Sequence, residues 1–124
     1  MAHDNAATIA EFLALFAHKD ASKLAPYLHP DVVFENYGDP QIKGREGVVN
    51  MWSNVFNIFE RVEFTMLHSA VNGDIVIEEQ IHGLARPGKQ LAPVRNMAVY
   101  RLQDGQIVEW RDYTNPVYAQ SLSK

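Results

Sequence analysis

His82 and Asp112 are the two side chains of this sequence best suited to moving a proton. An imidazole titrates near neutrality when unperturbed. A carboxyl in an apolar pocket resists ionisation and becomes a better base or a usable acid. Both residues lie in stretches of extended character, where residues two apart share a face. Val32, Phe34 and Asn36 share a face of Asp31–Tyr37, and Glu78, Gln80 and His82 share one of Asp74–Arg86. Val108, Trp110, Asp112 and Thr114 share one of Gln106–Thr114. Each face is apolar toward one end and polar toward the other. If all three look into one cavity, Asn36, Gln80, His82 and Asp112 line its polar end, with Asn96 of the intervening strand as a further candidate. Asn and Gln can hold a substrate oxygen or a water there. Phe34, Trp110 and Trp52 complete the set expected against a bound molecule.

Plainer readings stand beside these. His82 can be a core histidine bonded to a backbone carbonyl. Asp112 can pair with Arg111 or Arg101 at a sheet edge, although Arg111 points to the opposite face. Asn36 can cap the end of its strand, and Gln80 can be a satisfied polar group without a chemical task. Trp52, Phe56 and Phe59 read as core and pocket wall. His3, His18, His29 and His68 read as surface or helix-end residues. No ligand spacing occurs, His29 with Asp31 included, so no metal site is expected.

The elements that must position these residues change character near Val62. Before it the pattern is mainly helical. Asp4 or Asn5 can cap a helix whose Ile9, Phe12, Leu13 and Phe16 form one stripe. A second short helix fits Ala21 to Leu28, limited by Pro26. His29-Pro30-Asp31 reads as a turn before the strand Asp31–Tyr37, which Gly38-Asp39-Pro40 ends. A third helix begins near Gly44-Arg45-Glu46 and carries Val48, Trp52, Val55, Phe56 and Phe59. After Val62 the pattern is extended, with strands at Val62–Val71, Asp74–Arg86, Ala92–Leu102 and Gln106–Thr114. Asn72-Gly73 and Asp104-Gly105 are two-residue hairpin signals, and Pro87-Gly88 marks a looser turn. The tail Asn115–Lys124 fits a short helix or a lid. Helices followed by a long antiparallel meander predict an α+β domain over residues 1–124. If Gln80, His82 and Asp112 face inward, Ile77, Ile81, Ile107 and Tyr113 lie on the outer face. Such an exposed apolar face predicts a homodimer.

Composition narrows the function classes. The chain has 124 residues, 47% apolar and 21% charged, the balance of an ordinary globular domain. A net charge of -4 and scattered Lys and Arg argue against nucleic acid and anionic membranes. The absence of cysteine excludes disulfides, thiolate metal sites and a Cys nucleophile. No signal peptide or membrane-length apolar run is visible, and a cytoplasmic location is expected.

Asp31–Asn36 (DVVFEN), Gly44–Gly47 (GREG), Gly73–His82 (GDIVIEEQIH) and Val99–Tyr113 (VYRLQDGQIVEWRDY) together resemble the nuclear transport factor 2-like superfamily. The likeness is to its SnoaL-like polyketide cyclase and limonene-1,2-epoxide hydrolase branches and runs over nearly the whole chain. It implies a cone-shaped fold, three N-terminal helices on a curved antiparallel or mixed sheet that encloses a pocket. It also implies that the three polar faces look inward, which strand pleating alone does not decide. The epoxide hydrolases use an Asp-Arg-Asp triad with a Tyr and an Asn that hold the attacking water. The Asn falls on Asn36 and the second Asp on Asp112, and both match. The Tyr falls on Phe34, the Arg on Gln80 and the first Asp on His82, and these depart. The paired loss of Arg and Asp makes electrostatic sense if His82 carries a proton facing Asp112. Tyr27 and Asp31 fall where dehydratases of this fold keep pocket residues.

Three functions follow as expectations. The first is a cofactor-free isomerase, hydro-lyase or cyclase acting on a small hydrophobic molecule, with Asp112 as base or acid and His82 as its partner. The second is an epoxide hydrolase with an altered triad. The third is a small-molecule-binding dimer without turnover.

Overall fold

A computed structural model gives the fold and describes residues 4–122. His3 and the end of the tail, Ser123 and Lys124, lie outside the described residues. Helix α1, Asn5–Ala14, starts where the Asp4 carboxylate accepts from the Ala7 backbone N–H at 3.0 Å, satisfying a donor that the first turn leaves free. It buries Ile9, Phe12 and Leu13 and runs on into a 3-10 turn, Leu15–His18, that buries Phe16.

The helix expected over Ala21–Leu28 is instead two 3-10 turns, Ala21–Lys23 and Ala25–Tyr27. Pro26 has no N–H to continue an α-helix. The Asp20 side chain closes the first turn by accepting from the Ser22 N–H at 3.0 Å. The chain then enters strand β1 at Leu28, so His29-Pro30-Asp31 belongs to β1 (Leu28–Asn36) and is not a turn. A two-residue strand β2, Ile42–Lys43, pairs with β1 and was too short to leave a period in the sequence. Helix α2, Arg45–Ile58, buries Val48, Trp52 and Phe56 at four-residue spacing, one stripe of a helix.

Four long strands follow: β3 Arg61–Asn72, β4 Ile75–Ala85, β5 Ala92–Gln103 and β6 Gln106–Asp112. Asp104 and Gly105 both have positive φ, as the tightest hairpin turn requires. The first hairpin turns on Gly73-Asp74, one residue later than the Asn72-Gly73 reading, with Gly73 taking the positive φ. The tail forms helix α3, Pro116–Leu122. Among the described residues, two α-helices lie in the N-terminal half and one at the C-terminal end.

The fold is α+β with a six-stranded mixed sheet in the order β2-β1-β6-β5-β4-β3. β1 runs parallel to β6 and every other pair is antiparallel. The sheet is not closed, since β2 and β3 form its two edges. Phe12 and Phe16 from the first helical stretch meet Trp110 of β6 edge-on, and Trp52 of α2 stacks flat on Trp110 at 5.5 Å.

One strand departs from simple alternation. Arg101 pairs with Glu109, but Leu102 pairs with Ile107, so Val108 is an extra residue in β6. The bulge turns Ile107 inward, where it is wholly buried. Ile107 thus belongs to the core and not to the outer face, and Val108 does not share the inward row of Trp110 and Asp112. Among the described residues, no helix is long and apolar enough to cross a membrane.

Candidate active site

Strand alternation in β4 sends Glu78, Gln80 and His82 to the helix-covered side of the sheet, and all three are buried. Asn96 of β5 lies directly opposite Gln80, and Asp112 of β6 lies opposite both Ala98 and Asn36. Neighbouring inward side chains on adjacent strands are close enough to bond, and these form one buried network. Its hub is Asn96. The Asn96 amide Nδ2 donates to Gln80 Oε1 at 3.1 Å and to Asp112 Oδ1 at 3.1 Å, and lies 3.3 Å from His82 Nε2. Its Oδ1 accepts from the Tyr113 backbone N–H at 3.1 Å and from the Thr114 hydroxyl at 2.9 Å. Gln80 Nε2 donates to Glu78 Oε1 at 2.9 Å and to the Tyr100 hydroxyl at 3.0 Å, and Gln80 Oε1 is 2.7 Å from His82 Nε2. The Trp110 indole N–H donates to Asp112 Oδ1 at 3.0 Å.

Burial sets the protonation states. It pushes the Asp112 carboxyl up from 3.8 to about 6, against hydrogen bonds from Asn96 and Trp110 that favour the charged form. It pushes His82 down from 6.5 to about 3, so the ring is neutral near physiological pH. It also raises Glu78, partly offset by the Gln80 amide. His82 stacks flat on Phe64, ring centroids 3.8 Å apart. His82 and Asp112 do not bond directly, because Asn96 stands between them. The expected protonated His82 facing Asp112 is therefore not what the structure holds: an apolar wall on one side and an amide on the other leave the imidazolium unpaired. Arg101 pairs with Asp74 and Glu109, and Arg111 with Glu109, so neither takes Asp112 as a partner.

A cavity of about 410 Å³ opens beside this network. Phe34, Asn36, Trp52, His82 and Asp112 line it. Gln80, Asn96, Trp110 and Tyr27 do not. Gln80 and Asn96 lie behind His82 and Asp112 and hold them. Trp110 is sandwiched in the core by Trp52 and Phe34. Tyr27 packs near Phe12 and bonds weakly to Glu11 on the helix layer, because its short 3-10 turn ends before the cavity begins. Phe59, Phe64, Leu84 and Val94 add apolar wall, while Asp39, Arg86 and residues of α3, Pro116 and Ala119, close the rim.

Several contributors were not singled out in the sequence. Tyr100 and Glu78 anchor Gln80, Thr114 anchors Asn96, and Phe64 is the stacking surface of His82. Strand alternation places Glu78 and Tyr100 on inward faces, but only the register of β4 on β5 brings them to Gln80. Among the described residues, no three His, Asp or Glu side chains come together in a way that could hold a metal ion.

The sequence matches the SnoaL-like domain family over residues 9–110. Solved structures share the fold. A protein of ketosteroid isomerase-like fold from Catenulispora acidiphila, solved with trimethylamine, is 18% identical with a TM-score of 0.85, covering 94% of this chain and 91% of that one. A nuclear transport factor 2-like protein from Burkholderia pseudomallei is 16% identical with a TM-score of 0.85, covering 98% of each chain. An LEH-like epoxide hydrolase from M. tuberculosis is 25% identical with a TM-score of 0.76, covering 93% of this chain and 86% of that one. Proteins described as isomerases, polyketide cyclases and epoxide hydrolases thus occur on this framework.

Proposed function

The chain belongs to the SnoaL-like domain family, and from that premise we propose that it is a cofactor-independent acid–base enzyme of the isomerase, hydro-lyase or cyclase type, acting on a small hydrophobic molecule. The observation that carries this reading is Asp112, a buried carboxyl pushed up to about 6 on the wall of a largely apolar cavity. A base poised near the working pH moves protons most effectively. Asp112 takes a proton from a carbon beside a carbonyl and returns it elsewhere on the same molecule. Asn96 and Trp110 hold Oδ1, so Oδ2, which has no protein partner among the described residues, is the oxygen that reacts. Phe34, Trp52 and Phe64 exclude water from the reacting carbon.

A second reading is an epoxide hydrolase with a reworked site. It draws on Asn36 and Asp112, which pair across β1 and β6 and both line the cavity, where they can hold and activate a water. One experiment separates the readings. Deuterium exchange beside the carbonyl of 6-hydroxy-1-tetralone, followed by NMR, is expected to be catalysed at a rate that rises through pH 6 and to be lost in Asp112→Asn. Diol formation from styrene oxide without such exchange supports the hydrolase. Binding of both compounds with turnover of neither supports the third function, a binding protein.

A further inference from the structure

The network beside the cavity has an anchor whose polarity is not open to choice. The Tyr113 backbone N–H can only donate, and it is shared between the Met97 carbonyl oxygen at 2.9 Å and Asn96 Oδ1 at 3.1 Å. That bond assigns the Asn96 amide, so its Nδ2 faces Gln80, His82 and Asp112. Gln80 must then present its oxygen to Asn96. Glu78 and Tyr100 agree, since they accept both N–H donors of Gln80 at the other end of the amide. The opposite orientation would set Gln80 Oε1 against the Glu78 carboxyl and its NH₂ against that of Asn96. Gln80 Oε1 thus reaches His82 Nε2 at 2.7 Å as an acceptor, and Nε2 must carry the hydrogen.

We infer that Asn96 and Gln80 are positioning residues that fix His82 as the Nε2–H tautomer and leave its Nδ1 lone pair for the cavity, so that the site selects molecules that donate a hydrogen bond there. His82 Nδ1 has no protein partner among the described residues, and it is not one of the sealed, unpartnered polar atoms, which are Asn36 Oδ1 and Trp52 Nε1. Burial keeps the ring neutral, so the lone pair stays available. The substrate class is therefore an apolar molecule bearing a hydroxyl, enol or N–H group. Ethers and esters of the same shape bring only acceptors to an acceptor. The inference rests on the acid–base reading only in calling the bound molecule a substrate.

Two measurements test it without turnover. Long-range ¹H–¹⁵N correlation spectra of the His82 ring in the wild-type protein are expected to show a protonated Nε2 and an unprotonated Nδ1. In Gln80→Leu, Asn96 Nδ2 loses Gln80 and can donate to Nε2, 3.3 Å away, so the tautomer should invert to Nδ1–H. Binding of 2-naphthol should be about tenfold tighter than that of 2-methoxynaphthalene, with naphthalene as the size control, the worth of one net hydrogen bond. This preference should vanish in His82→Phe, which keeps the ring on Phe64 and removes the lone pair. A wild-type ring protonated at Nδ1, a tautomer unchanged in folded Gln80→Leu, or equal binding of naphthol and ether each overturns the inference. The wild-type spectrum decides even if Gln80→Leu does not fold. A correct tautomer with full exchange activity in Asp112→Asn would overturn the acid–base reading alone.

Discussion

Asp112 and His82 respond to burial in opposite directions, and the two responses oppose each other in the dependence of stability on acidity. The folded Asp112 carboxyl, at about 6, binds its proton more tightly than the unfolded one at 3.8. Its contribution is fully present below the unfolded value and is lost as pH rises through about 6. The folded His82 ring, at about 3, binds its proton less tightly than the unfolded one at 6.5. Its contribution is present above the unfolded value and is lost as pH falls toward about 3. Between pH 4 and pH 6 the two slopes nearly cancel. Asp112→Asn removes one of them. Urea unfolding should show the stability of this variant relative to wild type rising between pH 4 and pH 7 by on the order of 3 kcal/mol, since a neutral amide need not be desolvated as an anion. A relative stability flat in pH would mean that Asp112 titrates as it does in water.

At the scale of the element, β4 carries His82 to the cavity, and Gly83 lets it run close to its neighbours. A Cβ at Gly83 would lie 2.8 Å from the Glu63 carbonyl oxygen of β3 and 2.9 Å from Leu91 Cδ2. The backbone oxygen cannot swing aside, so β3 and β4 would have to part. Gly83→Ala is expected to cost about 1–3 kcal/mol in thermal or chemical unfolding, the range for overpacking a well-filled site. It should also disturb the adjacent His82, seen as a shift of its ring resonances. A variant as stable as wild type would show that the edge strand β3 moves freely. The β6 bulge acts in the opposite sense. By taking up Val108 it lets Ile107, Trp110 and Asp112 all face inward, which strict alternation forbids.

At the scale of the whole molecule, the sheet face away from the helices is apolar at its centre. Ile77, Met97 and Tyr113 are exposed there, with Ile81 and Val99 half-buried beside them. Ile77 pairs with Val99 on adjacent strands, while Met97 faces Glu79 and Ile81 faces Arg95, so the apolar side chains are interleaved with charged ones. We expect a second copy of the chain to cover it, because an apolar face of this kind is costly to leave in water. Light scattering should give about twice the chain mass, and Met97→Glu should give the monomer by placing a charge in the contact. A wild-type monomer at micromolar concentration would sink the expectation. Ile107, once expected on that face, plays no part, since the bulge buries it.

Much of the site was legible because a strand alternates with period two whatever it packs against. That rule alone put Gln80 and His82 on one row and Trp110 and Asp112 on another. Helical spacing likewise marked Phe12, Phe16, Trp52 and Phe56 as core. Where local chemistry competed with pattern, the reading failed: Pro26 broke the expected second helix, and β1 began three residues early. Other features had no local signal. The parallel pairing of β1 with β6 joins residues more than seventy positions apart, and no short pattern reports it. The role of Asn96 depended on the register of β5 against β4 and β6, and Ile107 turned inward through a bulge that only its neighbours reveal. The sequence by itself determined which side chains share a strand face and what chemistry they bring. The tertiary structure decided which of them meet, because registers, bulges and the depth of burial are set by contacts between distant segments. Those contacts make His82 neutral, raise Asp112 to about 6 and place an amide between them.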